Sequence, residues 1–275
     1  MKERNKASIT TIITWILALL FVTPFFICIL MALKSPAETV ESMIALPKRI
    51  YMQNFIDAIE VMDFMSALKN STILTIIVTT AVTLFSAMGA YVIVRNPKVK
   101  YLQFIDSMLI MALMLPFHVI MIPIYRMVQA AGLMNTLLAA STIIIGMALP
   151  FATFLYIGYF KSIPRDLEEM SKIDGCGMYR TFFQIVFPLV KPITVTIIVL
   201  EMMWTWNEFN VSLILLQKEA VKTIPIKQFY FFGQYVNQMN LAFAAALMSM
   251  IPVVILFIFT QKYIQKGLIA GAVKS

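Results

Sequence analysis

Two carboxylates inside an otherwise uncharged stretch are the residues best placed to do chemistry in this chain. Glu201 and Glu208 lie seven apart within residues 193–216, with Trp204 and Thr205 between them. At helical spacing Glu201, Trp204 and Glu208 share one face, with Thr205 and Ser212 close by. Such a face offers hydrogen-bond acceptors, a hydroxyl and an aromatic plane to a hydroxyl-rich solute; it would serve equally to pair with a residue of a neighbouring subunit. Either way it must face protein or water, since a charge near mid-bilayer costs about 2.5–3.5 kcal/mol or more on insertion scales. His118, the one histidine, stands between Pro116 and Pro123. It is expected in a proline-kinked helix, as a satisfied polar side chain or a solute contact. One histidine and two cysteines, Cys28 and Cys176, give no CxxC or Cys/His spacing for zinc and no basis for a Ser/His/Asp triad. A GxxxxGK[ST] phosphate loop is also missing. The expectation is a chain without catalytic residues, resident metal or cofactor.

The elements that must carry these residues are set by composition. Of 275 residues, 60% are hydrophobic and 13% charged, against about 45–50% and 25% in soluble domains. The solvent for most of the chain must be lipid. Uncharged stretches cover 12–33, 70–94, 107–125 (a span drawn from 104), 137–160 and 239–261, and 193–216 is as apolar apart from its two glutamates. Each is near the roughly 20 residues needed to cross hydrocarbon as a helix. The fold class expected is therefore all-α integral membrane, one domain of six spans. A β-barrel would instead show alternating segments of about ten residues. The first stretch exceeds a signal-peptide core of about 7–15 residues and reads as a retained anchor.

Lysine and arginine set the orientation. With the N-terminus inside, the inner segments carry 14 of the 22 and the outer segments eight. Both termini are thus expected in the cytoplasm, and insertion topology accounts for the net charge of +8 without nucleic acid. Three connectors exceed simple turns: outer residues 34–69, with Asp57, Glu60 and Asp63 around a short amphipathic stretch; inner residues 161–192; and outer residues 217–238, rich in aromatics and amides.

The inner connector reads as a short helix, a glycine turn and a second short helix. Ser162 is the expected N-cap and Pro164 a first-turn residue. Asp166, Glu168 and Glu169 then sit near the positive end of the helix dipole. Ile163, Leu167 and Met170 make one apolar stripe. Gly175 stops the helix, and the second helix, bearing Phe182, Phe183, Val186 and Phe187, ends at Pro188. An apolar ridge flanked by Glu169, Lys172 and Asp174 suits a groove on a partner protein, or a place on the membrane surface.

The stretch from Glu169 to Pro192 resembles the EAA signature of permease subunits of bacterial ABC importers: Glu-Ala-Ala, three residues, Gly, nine residues, then Ile-x-Leu-Pro. Glu169, Met170 and Ser171 hold the triplet, Gly175 the glycine, and Ile185, Phe187 and Pro188 the end. Ile173, Asp174, Gly175 and Cys176 are similar to the Ile-Asp-Gly-Ala of sugar permeases. Residues 121–136, 204–209 and 266–275 resemble further segments of the maltose-type carbohydrate permeases. The resemblance implies a type I importer permease fold and a membrane subunit that forms half of a sugar path. It implies four kinds of partner: a second permease subunit, two ATP-binding subunits that hold ATP and magnesium, an extracytoplasmic solute-binding protein, and membrane lipid. Glu168, Glu169, Met170, Ser171, Asp174 and Gly175 would form the ATPase-docking coupling loop, and residues 217–238 would reach the binding protein. Glu201, Trp204, Thr205, Glu208 and His118 are the candidates for the path. A permease for glycerol phosphate or another small polar solute remains an alternative, as does an ion-coupled secondary carrier. The carrier reading lacks the inverted repeat it would predict, and no intramembrane Lys or Arg is available for a proton relay.

Overall fold

The structure, a computed structural model, describes residues 2–234 and 238–272. These residues form helices and connectors. In order they are α1 (Lys2–Ala32), α2 (Pro36–Glu41), α3 (Gln53–Met62), α4 (Phe64–Arg95), α5 (Lys100–Ala112), α6 (Phe117–Ala130), α7 (Leu137–Phe160), α8 (Asp166–Ile173), α9 (Met178–Thr181), a π-helical turn (Phe182–Val186), α10 (Phe187–Leu189), α11 (Lys191–Trp206), α12 (Asn210–Leu215), a 3-10 turn (Glu219–Val221), α13 (Ile224–Gln234) and α14 (Met239–Ala272). Residues 235–237 of the third connector, and 273–275 of the tail resemblance, lie outside the described residues.

Four stretches are long and apolar enough to cross a membrane: Thr10–Ala32, Phe64–Arg95, Leu137–Phe160 and Met239–Phe259. The count reaches six if two bent pairs each make one span, namely α5 with α6 at 109° and Met178–Leu189 with α11 at 80°. Proline flanks both bends, Pro116 at the first and Pro188 and Pro192 on either side of Val190 at the second. Pro116 takes an extended conformation before α6 and disfavours helix in the residue ahead of it. The break therefore falls at 113–116, whereas Pro123 is accommodated inside α6. In the second pair, Pro188 cannot donate to the carbonyl four residues back. The chain widens into the π-helical turn just before it and continues to Leu189, so the second loop helix does not end at Pro188 as the sequence suggests.

The chain divides into two compact units, the described residues of Met1–Met65 with Lys227–Pro252 and of Ser66–Ile226 with Val253–Ser275. In the first unit, the fully buried Asn54 ties distant segments together. Its amide donates to the Ala32 and Lys34 carbonyls, each at 2.7 Å, and its Oδ1 accepts from Asn240 Nδ2 at 2.6 Å. Asn54, Ala58 and Met62 form the buried stripe of α3, the amphipathic stretch expected there.

In the second unit, α7 packs against α5, α11 and α12, with α6 also against α12. Polar side chains close the two ends. At one end, Asn135 in the left-handed region (φ 61°) donates its N–H to the Leu215 carbonyl. Its Oδ1 accepts from the backbone of Gln217 and Lys218. Asn70 likewise donates to the Ala220 and Lys222 carbonyls. At the other end, the last turn of α4 meets the 161–176 segment.

Candidate functional site

The sequence RDLEEMSKIDG builds a compact knob. Three acidic residues occupy the first turn of α8, where they favour the positive helix end. The stop is a glycine with φ +77°. The Gly175 N–H donates to the Lys172 carbonyl at 3.0 Å and the Cys176 N–H to the Ser171 carbonyl at 2.9 Å, the paired bonds of a Schellman turn. The helix starts later than expected. Arg165, not Ser162, holds the N-cap position, and the Ser162 hydroxyl donates back to the Tyr159 carbonyl. Ile163 therefore precedes the helix and is buried in the core, and the outward apolar ridge is Leu167, Met170 and Ile173, the last 85% exposed.

The docking candidates divide between two faces. Glu169, Met170 and Asp174 are exposed beside that ridge. Glu168 and Ser171 turn inward and are buried. Glu168 Oε1 pairs with the Arg95 guanidinium at 2.6 Å, and Oε2 accepts from the Tyr91 hydroxyl at 2.8 Å. The two charged side chains are 9% and 11% exposed. Arg165 donates to the Val94 and Arg95 carbonyls, and the Ser171 hydroxyl lies 3.0 Å from that of Thr181. The Tyr91 ring packs against Phe160 and Phe182. The knob is thus clamped to the end of α4 by a charge-assisted network. Sequence reasoning missed Tyr91, Arg95, Arg165 and Thr181. The available signal was Arg95, the first charge after the uncharged stretch 70–94 and on the same side as the loop.

Four of the five path candidates, all but His118, meet at a different place. A cavity of about 710 Å³ is walled by α7, α11 and the chain after it; its lining includes Phe151, Glu201, Trp204, Thr205 and Glu208. Trp204 is half-exposed and meets Phe151 edge-on at 5.2 Å. His118 is exposed and is not among the lining residues, which take its neighbour Phe117 instead.

Glu201 and Glu208 do not share one continuous helix, because α11 ends at Trp206 and α12 starts at Asn210. Glu208 curls forward across this break. Its carboxylate accepts from the Val211 N–H at 2.6 Å, the Ser212 N–H at 3.0 Å and the Ser212 hydroxyl at 2.6 Å. It caps α12, which gives this carboxylate three hydrogen-bond donors. Glu208→Ala is expected to cost about 0.5–2 kcal/mol, the usual range for a lost cap. A lowered melting temperature of the purified protein, with Glu208→Gln intermediate, checks this. Glu201 differs. It is 2% exposed and makes no hydrogen bond or ion pair among the described residues. The Thr205 hydroxyl beside it is likewise buried without a partner.

Residues 84–270 match the family described as binding-protein-dependent transport system inner membrane component. The chain is 36% identical over 267 residues to the melibiose/raffinose/stachyose import permease protein MelC of Bacillus subtilis, covering 97% of this chain and 96% of that protein. It is 33% identical over 261 residues to the probable starch degradation products transport system permease protein AmyC of Thermoanaerobacterium thermosulfurigenes, covering 94% of each. Among solved structures, a chain of a bacterial ABC transporter that imports the acidic polysaccharide alginate superposes with a TM-score of 0.82 at 22% identity, covering 96% of this chain and 98% of that one. The helical multi-pass architecture and these matches define a membrane transport subunit. Within that class, the chain belongs to the family of inner membrane components of binding-protein-dependent transport systems.

Proposed function

We propose that this chain is a permease subunit of an ATP-driven importer for a neutral sugar or oligosaccharide. The observation that carries the reading is the knob of α8, whose ridge of Leu167, Met170 and Ile173 is left outside while Glu168 locks the helix to α4. A rigid element with an apolar outer face is suited to a groove on a partner, and an ATP-binding subunit is the partner this reading assigns. ATP hydrolysis would reside there, and seating of the knob would drive alternating access in the spans. A second permease subunit would complete the path, and a solute-binding protein would deliver cargo from outside; one alginate transporter structure that superposes on this chain contains such a periplasmic protein. Both termini would face the cytoplasm of a bacterial cell.

The sugar class is supported by the relatives' substrates and by the cavity, where an aromatic pair flanks a carboxyl and a hydroxyl. Among the described residues no Lys, Arg or His lines it, which favours a neutral solute over glycerol phosphate. The complete importer in proteoliposomes, with its binding protein, should take up neutral oligosaccharide only with ATP. Uptake driven by an ion gradient without nucleotide would contradict the proposal.

A further inference from the structure

We infer that Glu201 sets the charge selectivity of this cleft: it accepts hydrogen bonds from the hydroxyls of a neutral saccharide and turns away saccharides that carry carboxylates. The inference rests on the sugar-importer reading and deepens it. Three observations on the cavity carry it.

First, Glu201 is almost wholly buried yet belongs to the cavity wall, and its carboxyl has no partner among the described residues. A buried polar group without a partner costs free energy that a ligand can recover by supplying the missing bonds. The adjacent Thr205 hydroxyl is in the same condition, so an acceptor and a donor wait side by side. A sugar hydroxyl, which both donates and accepts, satisfies the two together. Second, Glu208 lines the same cavity but is fully engaged in capping α12. Of the two carboxylates, Glu201 is therefore the one left open to a ligand. Third, among the described residues the lining holds two acidic side chains and no basic one. A uronate would place its carboxylate against a wall of this chain that offers no cation to neutralise it, and like-charge juxtaposition costs several kcal/mol. Rejection by an unfavourable contact is as effective for specificity as attraction to the right ligand. The Trp204 and Phe151 rings give the apolar faces of a sugar ring a surface to lie on, and this contact does not discriminate by charge.

The test uses the assembled importer in nanodiscs without its binding protein, so that receptor selectivity does not enter. Met147 lines the cavity; Met147→Cys in a Cys28→Ser, Cys176→Ser background reports access. Its modification rates with cationic and anionic methanethiosulfonates of equal size are measured. Protection by raffinose, maltotriose and arabinotriose is compared with protection by trigalacturonate. A cleft of one sign biases local ion concentration by about tenfold or more, so the cationic reagent should react at least about tenfold faster, and a neutral trisaccharide but not trigalacturonate should protect. Glu201→Gln should collapse the rate ratio and let trigalacturonate protect, whereas Glu201→Asp should keep both preferences. If Glu201→Gln does not assemble, Asn210→Lys, which adds a cation to the wall, should admit trigalacturonate with Glu201 intact. Preferences that survive Glu201→Gln, or that Asn210→Lys leaves unchanged, overturn the inference. Absence of protection by every saccharide while ATP-driven uptake persists also overturns it and leaves the importer reading standing; loss of ATP-driven uptake in the parent complex removes the importer reading itself.

Discussion

Gly175→Val is expected to leave the importer assembled and hydrolysing ATP while transport falls about tenfold. Gly175 has φ +77°, and no atom lies within 4 Å of where a Cβ would stand. The cost is therefore backbone strain alone, about 1–2 kcal/mol for an L-residue in the left-handed region and more for a β-branched one. Strain of 1.4 kcal/mol is a factor of ten in the equilibrium that holds the turn. The turn aligns α8 through the bonds of Gly175 and Cys176, so the damage is to the seating of the knob and not to the spans. ATPase activity and uptake measured on the same proteoliposomes check this. Gly175→Asn, which tolerates the left-handed region better, should recover part of the coupling. Equal losses in both activities would point to a folding defect instead.

The largest stability effect is expected at the clamp. Removing Arg95 or Glu168 alone leaves the other charge buried, which costs about 3–5 kcal/mol. Arg95→Ala and Glu168→Ala should each lower the melting temperature sharply and impair coupling. The pair Arg95→Met with Glu168→Met should lie closer to the parent in stability, because an apolar pair of similar volume often replaces a buried ion pair without loss. A double-mutant cycle on melting temperature isolates the interaction. Additive single effects would mean that the clamp contributes nothing as a pair.

Much of this arrangement was legible in the chain, because the signals are local. Uncharged length marks the membrane-crossing stretches, and glycine followed by a failed helix marks the turn at Gly175. The knob's placement was not. Glu168 and Glu169 are adjacent acids on one helix, and only the position of Arg95, more than 70 residues earlier in the chain, decides which of them turns inward. The error over Ile163 has the same origin: the helix start depends on how Arg165 reaches the carbonyls of Val94 and Arg95, which periodicity does not register. The break after Trp206 was hidden because Asn207, Glu208 and Phe209 contain neither proline nor glycine. Spacing puts Glu208 at the same cavity as Glu201 but does not show that its oxygens accept from Val211 and Ser212. His118 drew notice as the one histidine, but the bend at 113–116 leaves Phe117, not His118, at the cavity.

Cysteine cross-linking at Ile173, the most exposed residue of the α8 ridge, tests the central claim most directly. In the assembled importer, Ile173→Cys should form a disulfide or short cross-link with an ATP-binding subunit carrying single cysteines along its groove, and the link should block transport until reduced. A complex that transports normally while Ile173→Cys links to no ATP-binding subunit, or only to lipid-facing reagents, would contradict the account.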